Sequence, residues 1–306
     1  MSYTYPVKHP TGTVSVEQMH AMLNNPRVLA RLVADATKMR FIADYLLQDR
    51  LDAAGGGVFY EVGDENSFAP KDAEQVEPLA EYLKVLLDEG TIAGVKTSKW
   101  GLDTPVSDEK IARRGRSVID RAIARLANTV VRTVDAAAMA VIASRVDSTF
   151  TSPSSWDSAG AAVEAVLSIQ AERANLGTGL ELDTVVLRPT QYAKLIGMLI
   201  DDKSLPRESG ETAIQGNLPV HALGLDWATT PHFSGTNPLL VDRNNLGGMA
   251  DENIGGPGYV SAGPAGVEAK SIRKDDNDSY MLRARRVTVP VVLEPMAGVQ
   301  LVGTGL

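Results

Sequence analysis

The chain has 306 residues, 44% of them hydrophobic and 22% charged, which supplies apolar material for one large or two small cores. Thirty Lys and Arg against 38 Asp and Glu leave a formal net charge of -8, so the basic footprint of a dedicated nucleic-acid binder is missing. Cysteine is absent, which excludes a disulfide framework, a thiolate metal site and a cysteine nucleophile, and suits assembly in the cytosol.

The opening residues Met1 to Pro6 lack a basic stretch followed by an apolar core, and no apolar run reaches about 18 residues, so neither a secretion signal nor a membrane span is expected. Up to about residue 26, Pro6, Pro10, Gly12 and Pro26 surround a short Val14 to Leu23 segment, which predicts an extended arm. From Pro26 to about Asp52, Val28, Leu32, Met39, Ile42, Tyr45 and Leu46 recur at roughly helical spacing. Gly55-Gly56-Gly57 ends that helix, and the aromatic and β-branched run Val58 to Val62 predicts a strand. Residues 63–82 are acidic, proline-punctuated and poor in large apolar groups, so they offer no core face. Strand-like residues return at Lys84 to Leu87 and Ile92 to Trp100, making a long hairpin with too little apolar area to be stable alone.

Residues 107–146 carry the strongest periodicity, opened by Ser107 as N-cap with Asp108 and Glu109 in the first turn. Ile111, Val118, Ala122, Leu126, Val130, Val134 and Val141 form one stripe, with Arg113, Arg114, Arg121, Arg125 and Arg132 mainly off it. One continuous helix of this extent would run about 58 Å. Further on, Ser155 caps a helix ending at Gly177, Leu182 to Leu187 is a strand, and Pro189 opens another helix. A polar loop is expected over 201–219, and short strands at Val220 to Trp227, Leu239 to Val241 and Tyr259 to Val260 complete a mixed α/β lobe. Tyr280 to Ala284 and Val287 to Leu293 read as closing strands.

This order of elements resembles the Hong Kong 97-type capsid fold of tailed phages, an α+β fold with N-terminal arm, extended β-hairpin loop, long spine helix, peripheral domain and axial α/β domain. Lys99 to Glu109 resembles the strand leading into the family's spine helix, Leu182 to Tyr192 the first strand-and-helix turn of its axial lobe, and Leu282 to Pro295 its closing strands, most like those of phages infecting actinobacteria. The resemblance implies an arm at 1–57, an extended loop at 58–99, and a peripheral domain at 100–151 and 263–306 with spine helix 107–146. It places the axial domain at 152–262. It further implies subunits that form pentamers and hexamers of an icosahedral shell around double-stranded DNA. That DNA is enclosed without sequence-specific binding. Portal and scaffolding proteins are the implied partners, with no membrane, assembly in the host cytoplasm and residence in the virion capsid. The scaffolding segment of some relatives is expected to be absent, trimmed or supplied separately. Some relatives crosslink a loop lysine to an asparagine; the resemblance makes Lys71 the loop-tip candidate, although no matching asparagine and glutamate align with it.

No catalytic, cofactor or metal site is expected. His9, His20, His221 and His232 include no i, i+4 pair, and no G-x-S-x-G elbow is present. Gly55-Gly56-Gly57 and Gly255-Gly256-Pro257-Gly258 lack the phosphate-loop context and read as turns. Asp275-Asp276-Asn277-Asp278 lacks the glycine and distal glutamate of a calcium loop, and the sequon at Asn277 is chance. Two readings fit the charges: Asp64, Glu65, Asp72, Glu74 and Glu77 pair with Arg113, Arg114 and Arg116 of a neighbouring subunit, or both sets are solvated faces. An encapsulin-like compartment protein and an unrecognised cytosolic α/β enzyme are the alternatives to a capsid protein.

Overall fold

The computed structural model describes residues 14–37, 41–62, 71–85, 91–201, 221–222, 224–233, 235–263 and 266–306. In chain order come helices α1 (Val16–Asn24), α2 (Pro26–Thr37) and α3 (Ile42–Leu46), then strands β1 (Asp49–Asp52), β2 (Gly57–Val62), β3 (Thr91–Lys96) and β4 (Ser98–Ser107). Next are α4 (Asp108–Arg114), α5 (Arg116–Arg145), β5 (Thr149–Thr151), α6 (Ala159–Leu176), β6 (Thr184–Leu187) and α7 (Pro189–Asp201). Strands β7 (His221–Ala222), β8 (Leu225–Thr229) and β9 (Leu239–Val241), helix α8 (Arg243–Leu246) and strand β10 (Gly247–Asp251) follow. The chain closes with β11 (Val260–Ser261), β12 (Val267–Lys274), β13 (Ser279–Val292) and β14 (Gly298–Val302). Two compact units result, each built from three stretches of chain: 1–41, 98–133 and 252–288 in the first, 42–97, 134–251 and 289–306 in the second.

The first unit holds an antiparallel sheet in the order β4, β13, β12, β11, using the first ten residues of β13. Successive residues of a strand face opposite sides. Tyr280, Leu282, Ala284 and Arg286 of β13 are accordingly buried, while Arg283 and Arg285 face away. Helix α2 packs on β12 through its buried residues Leu29, Ala30 and Val33. Arg286 is fully buried, its guanidinium 4.8 Å from the centre of the Phe41 ring. Helix α1 replaces part of the expected extended arm. Ser15 Oγ accepts from Gln18 N at 3.2 Å while Gln18 Oε1 accepts from Ser15 N at 3.0 Å, a reciprocal cap that satisfies otherwise unpaired first-turn donors.

The single long helix expected over 107–146 is two helices. Gly115 stands between them at φ 64, a left-handed conformation open to glycine, and its N–H closes α4 on Ile111 O at 2.8 Å. The 30 residues of α5 still extend about 45 Å. Its buried stripe runs through Ile119, Ile123, Leu126, Val130, Val134, Met139 and Ile142, with Val118 and Val141 at the rim. By length and mean hydropathy its most apolar window would pass for a membrane span, but 50% of that window is buried inside the protein.

The second unit is built on a mixed sheet in the order β5, β14, β9, β6, β8, β7. Strand β6 is central and buried at all four residues, parallel to β8 and antiparallel to β9. Trp156, Val166 and Ile169 from α6 and its approach, Leu195 from α7, and Val185, Leu225, Leu240 and Leu301 from the sheet make one core. Ser158, three residues later than the predicted cap, accepts from Ala161 N at 3.3 Å and starts α6, which stops at Gly177 as expected. Strand β1 pairs in parallel with β10, so the helix expected up to residue 52 ends early and is divided into α2, α3 and a strand. Asp135 on α5 accepts from Ala43 N at 3.1 Å and so caps α3. The two closing strands merge into the 14 residues of β13. The polar loop, apart from residue 201, lies outside the described residues, and residues 84–85 are described but not in a strand.

Candidate assembly surfaces

Strands β2 and β3 form an antiparallel hairpin with register from Gly57↔Lys96 to Val62↔Thr91. Its two faces have different surroundings. Val58, Tyr60 and Val95 pack on Ala53, Ala250, Val289 and Val291 of the same chain, so the root of the hairpin is covered without a neighbour, contrary to expectation. On the other face Phe59 is 86% and Ile92 77% exposed. The Phe59 ring covers Gly94, where an added Cβ would lie 2.9 Å from Phe59 Cε1; the aromatic thus supplies the packing surface that glycine lacks. Beyond the hairpin, residues 71–85 have no regular structure and expose Leu79 and Tyr82 completely or nearly so.

Of the predicted contact residues, Lys71, Asp72, Glu74 and Glu77 are exposed on this loop, and Asp64 and Glu65 lie outside the described residues. Arg113 and Arg114 are exposed in the last turn of α4, where cations complement the helix dipole. Arg116 is exposed at the start of α5 and pairs with Asp120 one turn on, at 3.5 Å. The acids and the arginines belong to different compact units. The histidine reading is refined at His20, whose Nδ1 is 3.3 Å from Tyr280 Oη and 4.0 Å from Asp108 Oδ1. Arg273 donates to that same carboxylate at 2.7 Å and holds Asp108 below the usual carboxylate range. Among the described residues no group of three His, Asp or Glu side chains is placed to hold a metal ion.

A second surface went unread in the sequence. Because β13 alternates, Arg283 and Arg285 project together from the face opposite the core and wall a cleft of about 450 Å³ with Lys99, Gly101, Asp103 and Tyr259. Arg283 grips Asp103 with two hydrogen bonds of 2.6 Å each, which lowers the Asp103 pKa, and it also donates to Tyr259 Oη at 3.3 Å. Arg285 donates to Glu268 Oε2 at 2.7 Å and to Gly255 O, and its guanidinium lies 3.6 Å from the centre of the Tyr259 ring. Lys270 sits 5.3 Å from that ring centre and donates to Pro257 O at 2.8 Å. The glycine-rich turn 255–258 thus carries an aromatic residue held among cations. Period-two spacing in Arg283-Ala284-Arg285 was the available signal.

Solved structures share this architecture. The virus-like particle from Pyrococcus furiosus aligns with a TM-score of 0.56 at 12% identity, over 90% of this chain and 98% of its own. The capsid of cyanophage P-SCSP1u aligns at 0.55 and 12% identity over 82% and 84%, and a structure from Microbacterium phage Oxtober96 at 0.52 and 12% over 85% and 90%. A comparison with curated protein sequences finds no match. The fold is therefore the Hong Kong 97-type shell fold expected from the order of elements. Residues 91–301 match the phage capsid protein family, and the chain belongs to it. It is a structural protein of the virion capsid and not an enzyme.

Proposed function

We propose that the chain assembles as pentamers and hexamers into the icosahedral shell of a tailed phage, enclosing double-stranded DNA without reading its sequence. The observation that carries this reading is the outward face of the β2–β3 hairpin with its loop, where Phe59, Ile92, Leu79 and Tyr82 are all more than three-quarters exposed. Several large apolar groups left this exposed along one hairpin and its loop favour surface that a partner covers. In a shell the partner is another copy, and modest contacts add up through symmetry. Residues 58–99 serve as the extended loop, 107–146 as the spine, 152–262 as the axial domain, and 100–151 with 263–306 as the peripheral domain, with 1–57 as the arm. The loop acids Asp64, Glu65, Asp72, Glu74 and Glu77 face a cationic surface of the neighbour, for which Arg113, Arg114 and Arg116 are one candidate. Portal and scaffolding proteins are the further partners, and assembly takes place in the host cytoplasm.

Electron microscopy and sedimentation of the purified protein test this: closed particles with five-fold and six-fold clusters are expected, and a monomer at all concentrations would refute it. The likeness to a virus-like particle supports a second reading, a compartment that encloses protein cargo. Particle contents separate the two, because nucleic acid raises the 260 to 280 nm absorbance ratio whereas a cargo protein appears on a gel. Denaturing electrophoresis of the particles tests crosslinking through Lys71, which requires a ladder of covalent multimers.

A further inference from the structure

We propose that the cleft walled by Lys99, Arg283, Arg285 and Tyr259 is the seat for the acidic loop, residues 72–81, of a second copy of this chain. The inference rests on the shell reading and names the surface that receives the loop. Charge complementarity carries it. Four cations, Lys99, Lys270, Arg283 and Arg285, stand around the cleft against two carboxylates, Asp103 and Glu268. Lys99 is exposed and has no ion pair among the described residues. The two arginines are fixed by their carboxylate bonds and spend three and two of their five N–H donors, so each presents further donors in a set geometry. Opposite in sign, Asp72, Glu74, Glu77 and Glu81 are all exposed on a segment whose only cations are Lys71 and Lys84 at its ends. Its Tyr82 is 80% exposed and supplies an aromatic edge beside the acids.

Preorganisation distinguishes this seat from the α4 arginines. Arg113 and Arg114 are free-standing surface side chains that must be ordered on contact, and Arg116 already engages Asp120. In the cleft, the stacking of Arg285 on Tyr259 and its bond to Glu268, whose side chains are 12% and 9% exposed, hold the cationic surface before any partner arrives. Gly101 keeps the floor low, since a Cβ there would meet Arg285 Cβ at 2.9 Å and Ala284 O at 3.0 Å. The cleft volume of about 450 Å³ accommodates short peptide segments as well as single side chains.

A charge-swap series tests the proposal. Lys99→Glu alone, and Glu74→Lys with Glu77→Lys together, should each raise the critical concentration for particle formation about fivefold or more, while the triple variant should return to within about twofold of wild type. All three positions of the swap are exposed, so the unassembled variants should melt within about 2 °C of wild type, which separates assembly from folding. Additive losses in the triple variant, or normal assembly of Lys99→Glu, would overturn the inference. Rescue of the loop variant by Arg113→Glu with Arg114→Glu would place the acids on α4 and overturn it as well. A Lys99→Glu protein that builds normal empty particles and loses only DNA content would show that the cleft holds phosphate. Should wild type itself form no particles, the shell reading fails, which is a different result from any of these.

Discussion

Arg243 is the clearest single point at which the second unit can be broken. Its Nε donates to Asp183 Oδ2 at 3.1 Å and its Nη2 to Asp226 Oδ2 at 2.9 Å, and its guanidinium lies 4.6 Å from the centre of the Tyr45 ring. Tyr45 Oη donates to the same Asp226 oxygen at 3.0 Å. One cation therefore joins α3, the approach to β6, and β8, with side chains 16%, 28% and 11% exposed for Arg243, Asp183 and Asp226. Arg243→Ala leaves two carboxylates facing each other without their cation, and it removes a stacked side chain as well. Breaking a buried pair in this way costs about 3–5 kcal/mol, and the partial exposure of Asp183 argues for the lower end, about 3 kcal/mol. In a protein of this size each kcal/mol moves the melting temperature by about 2 °C, so a fall of about 6 °C is expected. Thermal unfolding of the unassembled protein by circular dichroism provides the assay. The companion variant with Asp183→Asn and Asp226→Asn added should recover part of the loss, because the uncompensated charge is gone. A melting temperature within 1 °C of wild type for Arg243→Ala would refute the reasoning, since it would mean that solvent already screens the cluster.

Asp103 supplies a pH signature. Arg283 holds its carboxyl below the usual range, so its contribution is present above about pH 4 and is lost as pH falls through the lowered folded value. The stability difference between wild type and Asp103→Asn should thus be largest near neutrality and shrink in acid; a difference independent of pH from 7 to 2 would dismiss the pair as its source. Gly115→Ala forces a Cβ into the left-handed region with nothing within 4 Å to resist it sterically, so it should cost about 1–2 kcal/mol in thermal unfolding. A gain in stability would mean instead that α4 and α5 can run on as one helix. Leu301→Ala, at a fully buried position of β14, should lower stability by about 2–5 kcal/mol in urea titration, whereas Tyr82→Ser should stay within about 0.5 kcal/mol while impairing particle formation. Unimpaired particles from Tyr82→Ser would remove that side chain from the interface.

What the sequence revealed depended on how loudly each element is written. Helices α5, α6 and α7 and strand β6 announce themselves through long apolar stripes or a continuous apolar run, and they stand close to where the periodicity puts them. Strand β4 is strand-like by its own residues only as far as Trp100 and was expected beyond that from the resemblance alone, because Gly101, Asp103 and Pro105 are poor strand formers; its conformation comes from ten register pairs with β13, and proline is tolerated at a sheet edge. Helix α1 was hidden for the opposite reason, a sound capping box at Ser15 and Gln18 lost among neighbouring prolines. The break at Gly115 was visible as a glycine, yet only the left-handed angle makes it an end rather than a tolerated interior residue. As for the assembly surfaces, the acidic loop was evident from composition. The cleft was not, because Asp103 and Arg283 are 180 residues apart and only sheet register brings them together.

The division of each unit among three stretches of chain sets the order of events during synthesis. Strand β13 occupies the middle of the first unit's sheet, and its partner β4 is made some 180 residues earlier. Contacts of such separation close late and slowly. The hairpin with its outward Phe59 and Ile92 therefore emerges from the ribosome long before residues 283–285, which wall the cleft, exist. If the cleft seats the loop as proposed, a nascent subunit offers its loop before it has a seat for another's, so linkage between unfinished chains would stop at the first contact. On that proposal, pairing of β13 with β4 is the step that completes the seat, and the chain short of it is the species with unpaired strand edges.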